Sequence, residues 1–183
     1  MWEWEALENE CANCRKCELH ESRISVVFER GSRSARLMFI GEAPGATEDR
    51  VGKAFVGKAG KLLDLALAGL GIGEDEIYIC NILKCRPPNN VNPTREQSDT
   101  CIGYLKKQIE LVAPKAIVLL GGVAHKFLLD SETGITRARG SWTEYNDIPV
   151  MPTYHPAALL RDGTKRIDMW RDIKQAWTRI KDI

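Results

Sequence analysis

The cysteines carry the first hint of chemistry. Cys11, Cys14 and Cys17 stand at C-x2-C-x2-C, and Cys85 and Cys101 follow downstream at C-x15-C. A zinc ribbon shows two close pairs, and here only the first group is close. Runs of C-x2-C-x2-C are typical of iron–sulfur proteins, where thiolates hold the cluster. Soft thiolates also admit zinc, and spacing alone leaves both metals open, along with ordinary buried thiols. The chain has six cysteines, more than a four-ligand site needs, so at least two are spare. Cys80 sits in an apolar run and reads as a core thiol. Cys11 reads either as a core residue or as an alternative ligand.

A second stretch, "VGKAFVGKAGKLL" (51–63), poses another question, because Gly52 to Lys58 reads G-x4-G-K. A phosphate-binding P-loop needs a hydroxyl after the lysine and should leave directly from a strand. Ala59 has no hydroxyl, and "GEAPGATEDR" separates the stretch from the nearest strand candidate. The stretch therefore reads as a glycine-rich wall around some other occupant, with a metal-dependent nucleotide-binding enzyme kept as a rival. Two polar residues stand out elsewhere, although each has a bland alternative. Asn81 ends an apolar run, where an asparagine is more often a turn residue. His155 precedes Pro156 in a loop and is one of only three histidines.

Positioning these groups requires elements at their ends. "RLMFI" (36–40), "IYICN" (77–81) and "AIVLLG" (116–121) are apolar runs of strand length, and "IPVMPT" (148–153) is a weaker fourth. Such near-continuous runs suit parallel strands covered on both faces. "RISVVF" (23–28) reads as an extended edge segment. Helical patterns alternate with the strands. "GKLLDLALAGLG" ends in glycines that can terminate a helix. "TREQSDTCIGYLKKQIELV" opens with Thr94 and Gln97 as a capping box and carries the stripe Cys101, Leu105, Ile109 and Val112. Near the C-terminus Trp170, Ile173, Trp177 and Ile180 repeat that spacing. At the N-terminus Trp4, Leu7, Cys11 and Cys14 share one side of a short helix. The expected architecture is a three-layer α/β/α sandwich around a central, mainly parallel four-stranded sheet, as one domain over residues 1–183. In such sheets ligands bind beyond the carboxyl ends of the strands, which puts "GEAPG", "NILKCRPPNNVNP" and "TYHPAALLR" around one cleft.

Composition bounds the reading further. The 183 residues, 44% hydrophobic and 28% charged, are those of a globular chain able to bury a core without disulfides. "MWEWEALENE" is acidic where a signal peptide would be basic, and no apolar run reaches membrane-spanning length. A cytoplasmic chain with reduced cysteines and no membrane partner is the expectation. A net charge of +1 neither demands nor forbids nucleic acid. Residues 161–181 hold seven Lys or Arg against three Asp, which suits a solvated helix face or phosphate contacts equally.

"CRKCELHESR" (14–23), "GEAPGATEDRVGKAFVGKAGKLLD" (41–64), "NILKCRPPNN" (81–90) and "HPAALLR" (155–161) together resemble family 4 uracil-DNA glycosylases. The likeness runs in order over almost the whole chain. It implies a 4Fe-4S cluster on Cys14, Cys17, Cys85 and Cys101, and hydrolysis of deoxyuridine in single- or double-stranded DNA. It also implies a nucleoid-associated monomer, with a replication clamp as candidate partner. Two positions depart from the pattern. Val91 stands where the family often has arginine, and Cys80 where a small polar residue is common. The inserted basic, histidine-bearing loop of the superfamily's covalently trapped branch has no counterpart here.

The resemblance also assigns roles. Phe55 stacks on a flipped uracil, with Gly52, Gly57 and Gly60 letting the backbone come close. Asn81 reads the base edge, and a site built on such bonds rejects cytosine because buried polar groups go unpaired. His155 bonds uracil O2 and steadies charge on the leaving group. The segment beginning at Gly41 holds Glu42 and Ala43 where another branch has a Gln-Asp pair, so Glu42 is the candidate for holding water or steadying the sugar cation. Gly45 replaces a tyrosine that blocks thymine's methyl group, and Glu48 becomes the candidate blocker. Leu159 is the expected DNA wedge and Arg161 a phosphate contact. A non-catalytic iron–sulfur or zinc DNA-binding module of the same fold is the alternative.

Overall fold

The computed structural model describes residues 2–181. Six strands form one sheet: β1 (Arg30–Gly31), β2 (Leu37–Gly41), β3 (Ile77–Asn81), β4 (Ala116–Leu120), β5 (Thr143–Tyr145) and β6 (Ile148–Thr153). Their order is β1-β3-β2-β4-β6-β5. The helices are α1 (Trp2–Ala12), α2 (Leu19–Ser22), α3 (Ala46–Val51), α4 (Lys58–Gly69), α5 (Arg95–Val112), α6 (Gly122–Leu129), α7 (Ile135–Ala138), α8 (Pro156–Arg161) and α9 (Arg166–Lys181).

The four apolar runs of the sequence become the parallel strands β2, β3, β4 and β6, all pairing in parallel. The expected four-stranded sheet is nevertheless too small, because an antiparallel strand is added at each edge. The sheet is therefore mixed and six-stranded. The extra strand β5 belongs to a hairpin whose turn residues Asn146 and Asp147 both take positive φ, 48° and 64°. Two-residue turns of that kind match the twist of the strands they join, and Asn and Asp tolerate them. The "RISVVF" segment forms no strand, because its amides go elsewhere. Ile24 and Ser25 donate to the Asp49 carboxylate, and Val27 donates to the Lys84 carbonyl. The edge strand lies two residues later, at Arg30–Gly31.

Strand alternation divides the interior. Met38, Ile40, Tyr78, Cys80, Ile117 and Leu119 face one cluster with α1, α5 and α6. Leu37, Phe39, Ile77, Ile79, Val118 and Leu120 face another with α4 and α9. Both faces of the parallel strands are therefore covered, which is why those strands read as continuous apolar runs. Helix α5 starts at the expected box: Thr94 Oγ1 accepts from the Gln97 amide, and Gln97 Oε1 accepts from the Thr94 amide. Its stripe Cys101, Leu105, Ile109 and Val112 is buried. On α9 Ile173, Trp177 and Ile180 are buried as expected, but Trp170 remains 38% exposed and Met169 is buried in its place.

Candidate active site and thiolate centre

The carboxyl ends of the parallel strands converge on a cleft of about 380 Å³, within the range of small-ligand sites. Glu42, Ala43 and Gly45 enter it after β2, Asn81 at the end of β3, and His155 and Arg161 after β6, while Glu48 and Phe55 come from the α3–α4 region. Gly41 lies beneath them. It pairs with Asn81 in register, and a Cβ there would meet Asn81 Oδ1 at 2.5 Å and the Phe55 ring at 2.6 Å. All of the sequence-predicted base-pocket residues are thus brought together.

The glycine-rich stretch is a wall, not a phosphate cradle. Gly52 takes φ +75° as α3 ends, and Phe55 takes φ 53° with its side chain buried. A Cβ at Gly60 would lie 1.8 Å from the Phe55 carbonyl oxygen, so the residue there must be glycine. The amide of Gly57, which a phosphate would need, donates to Glu48 Oε1 at 2.6 Å. Glu48 fits between Gly45 and Gly57, where added Cβ atoms would approach its carboxylate to 2.8 and 2.9 Å. Lys58 points to solvent at the start of α4. The nucleotide-binding rival loses its phosphate site to a carboxylate.

His155 caps α8. Its Nδ1 accepts from the Ala157 amide at 3.1 Å, which leaves the proton of the neutral ring on Nε2. Burial, then the nearby charge of Arg161, push its pKa down to about 4. Its ring lies 5.6 Å from that of Phe55, centroid to centroid. Sequence reasoning overlooked Gly121, which follows β4 at φ +94° and whose Cβ would come 2.9 Å from that of His155. A glycine closing an apolar strand was the available signal. Asn81 is 1% exposed, and its Oδ1 is buried without a hydrogen-bond partner. Such atoms are uncommon and call for a reason. Glu42 is half-buried, and burial pushes its carboxyl pKa upward.

The two leucines of α8 differ in burial. Leu159 is 3% exposed and packs into the α4–α9 core, whereas Leu160 is 54% exposed. Successive helical residues point about 100° apart, so α8 can turn only one of the two outward. Arg161 is exposed at the mouth of the cleft.

On the other side of the β3 loop, Cys11, Cys14, Cys17, Cys85 and Cys101 line one cavity, and Cys80 is buried apart from it. Among the described residues, no three His, Cys, Asp or Glu side chains stand close enough to hold a single metal ion. N–H donors already face two of the sulfurs. Arg23 Nη1 lies 3.2 Å from Cys85 Sγ, and the Lys84 amide lies 3.4 Å from Cys101 Sγ. Burial pushes the thiols up, Cys101 to about 11 and Cys11 to about 12. Thiols of that kind ionise when a metal supplies the compensating charge. Thiolate sulfur, N–H donors and a shared cavity together suit an iron–sulfur cluster.

A sequence model of the uracil DNA glycosylase superfamily matches residues 28–181. A type-4 uracil-DNA glycosylase of Thermotoga maritima is 40% identical over 181 residues, covering 97% of this chain and 94% of the relative. One from Archaeoglobus fulgidus is 42% identical, over 91% of this chain and 87% of the relative. A third, from Sulfurisphaera tokodaii, is 39% identical over 93% and 82%.

Proposed function

This chain belongs to the uracil DNA glycosylase superfamily, and we infer that it is a uracil-DNA glycosylase, hydrolysing the N-glycosidic bond of deoxyuridine in DNA to release uracil and leave an abasic site. The carrying observation is Asn81, whose buried Oδ1 has no hydrogen-bond partner, lining a cleft walled by an aromatic ring and a neutral imidazole. A bound base would satisfy that atom. The Asn81 amide accepts from uracil N3–H and donates to O4, a pairing that cytosine cannot match. Phe55 stacks on the flipped ring.

As the bond between N1 and the sugar carbon breaks, its electron pair moves onto uracil and charge gathers at O2. The Nε2–H of His155 donates to that oxygen in this reading, and an interaction that strengthens in the transition state raises the chemical rate. Water then attacks the sugar carbon, with Glu42 as the group that holds it or steadies the cation. Glu48 closes the wall beside thymine's methyl position. Leu160 is the side chain free to fill the gap in the base stack, and Arg161 meets phosphate.

Cys14, Cys17, Cys85 and Cys101 would hold a 4Fe-4S cluster that ties the N-terminal segment to the body, with Cys11 as a spare thiol against it. No observation favours the non-catalytic binding module. The test is incubation with a uracil-containing oligonucleotide followed by alkaline strand scission. Cleavage at uracil supports the reading, and intact strands with bound DNA overturn it.

A further inference from the structure

Lys84 is the most deeply buried cation near the cleft, at 1% exposure. Its Nζ donates to the Asn81 carbonyl at 2.8 Å and to Gln108 Oε1 at 2.6 Å. Gln108 is fixed in turn, donating to the Phe28 carbonyl and to Tyr78 Oη, and Tyr78 donates to Glu29 at 2.5 Å. No carboxylate pairs with Lys84 among the described residues. A buried charge without a counter-charge is costly. The groups that could offset it line the cavity beside it, since Lys84 shares that wall with Cys11, Cys14, Cys17, Cys85 and Cys101.

The aim of the Asn81 amide depends on its backbone, because no hydrogen bond holds Oδ1. On one side that backbone is set by β2: Ile82 donates to the Gly41 carbonyl and Leu83 to that of Glu42. On the other side it is held by Lys84. We propose that Lys84 is a positioning residue for base recognition, its ammonium fixing the Asn81 backbone while the thiolate centre supplies the counter-charge that keeps a lysine buried there. The proposal rests on the reading of Asn81 as the uracil reader. It makes the metal centre matter to the base pocket through one side chain.

The test compares Lys84→Met with the wild-type holoprotein. Iron content, free-uracil affinity by calorimetry, DNA affinity and single-turnover excision are measured on the same samples. The variant should keep its iron and bind DNA within about twofold. It should lose about tenfold in uracil affinity and at least as much in excision, the scale of a hydrogen bond to a charged group. Removing a cation beside the centre should also make its reduction potential more negative. Equal uracil affinity in both proteins would overturn the positioning role, and an unchanged potential would overturn the counter-charge. Should Lys84→Met fail to fold, Gln108→Leu keeps the lysine and every cysteine while removing the second acceptor. A severalfold loss of uracil affinity is expected there, and no loss overturns the proposal. A wild type that binds uracil but makes no abasic sites would defeat the excision reading instead, and uracil affinity still decides the role of the lysine.

Discussion

At the scale of single residues, the neutral imidazole of His155 decides most. Its pKa lies near 4 in the fold against an ordinary 6.5, so it takes up a proton only as pH falls through the lower value. Stability linked to this group is therefore complete above the ordinary value and declines as pH falls from there toward about 4. Excision should show no histidine limb between about pH 6 and 8. The acid-side loss should instead come from Glu42, which burial pushes upward, and it should move or vanish in a pH–rate profile of Glu42→Gln. His155→Ala should slow single-turnover excision about ten- to two-hundredfold, as expected for a charge-assisted hydrogen bond. DNA affinity should barely change, since it resides in phosphate contacts. A full rate in that variant would remove the leaving-group role. Phe55→Ala should cost about 1–3 kcal/mol of activity, the worth of base–aromatic stacking, and Lys58→Ala far less; reversed effects would restore the phosphate-loop reading. These residues were legible because each stands in a motif that carries the family resemblance, in a loop after a strand or in the glycine-rich stretch between α3 and α4. Lys84 and Gly121 were not, because their roles lie in what they touch: a carbonyl three residues back for one, a histidine 34 residues ahead for the other.

Elements were legible in proportion to how far their burial is set within the segment. The parallel strands lie against helices on both faces and announce themselves as apolar runs, and α5 declares its start through side chains that bond its own amides. Edge strands β1 and β5 have two and three residues and little apolar content, so pairing with a neighbour defines them rather than composition. The Asn146–Asp147 turn was the one local clue, and it was missed. Helix α8 shows the limit most sharply. Sequence places Leu159 and Leu160 side by side, and only the packing of α8 against α4 decides which is buried. The two leucines should therefore separate in experiment. Leu159→Ala should lower stability by about 2–5 kcal/mol, as core leucine truncations do, and thermal melting reads that directly. Leu160→Ala should leave the melting temperature almost unchanged yet slow excision from duplex DNA more than from single strands, because a duplex alone requires the extruded base to be replaced. Equal duplex and single-strand rates for Leu160→Ala would remove the wedge from α8.

At the scale of the whole molecule, the N-terminal segment contributes little burial of its own. Among the described side chains of α1, Leu7 and Cys11 are buried, and fully burying a leucine is worth about 1.5–3 kcal/mol. The half-buried Trp4 ring adds contacts with Phe28 and Tyr78, at 6.5 and 5.9 Å between centroids, and the other links are charged and partly exposed. Arg33 bridges Glu8 and Glu29 at 2.6 and 2.7 Å, and Lys107 on α5 lies 3.8 Å from Glu3. Exposed pairs of this kind contribute about 0–1 kcal/mol, too little to hold a separate segment firmly. A cluster on the proposed ligands would make up the difference, joining Cys14 and Cys17, just beyond α1, to Cys85 after β3 and Cys101 on α5. A centre on residues so far apart in sequence closes long loops and stabilises the folded chain accordingly. Purified protein should be brown, with iron and acid-labile sulfide near about four each per chain if the cluster is of the 4Fe-4S kind. Stoichiometric zinc without sulfide would overturn that assignment. Removing the metal by chelation, or one ligand by Cys101→Ala, should raise hydrogen exchange first in α1 and the loop through Cys17, while the β2–β3–β4 amides stay protected. If those N-terminal amides kept their protection after the iron was gone, the metal would not be what fastens the segment. Leu7, Cys11, the Trp4 ring and the Arg33 bridge would then hold it.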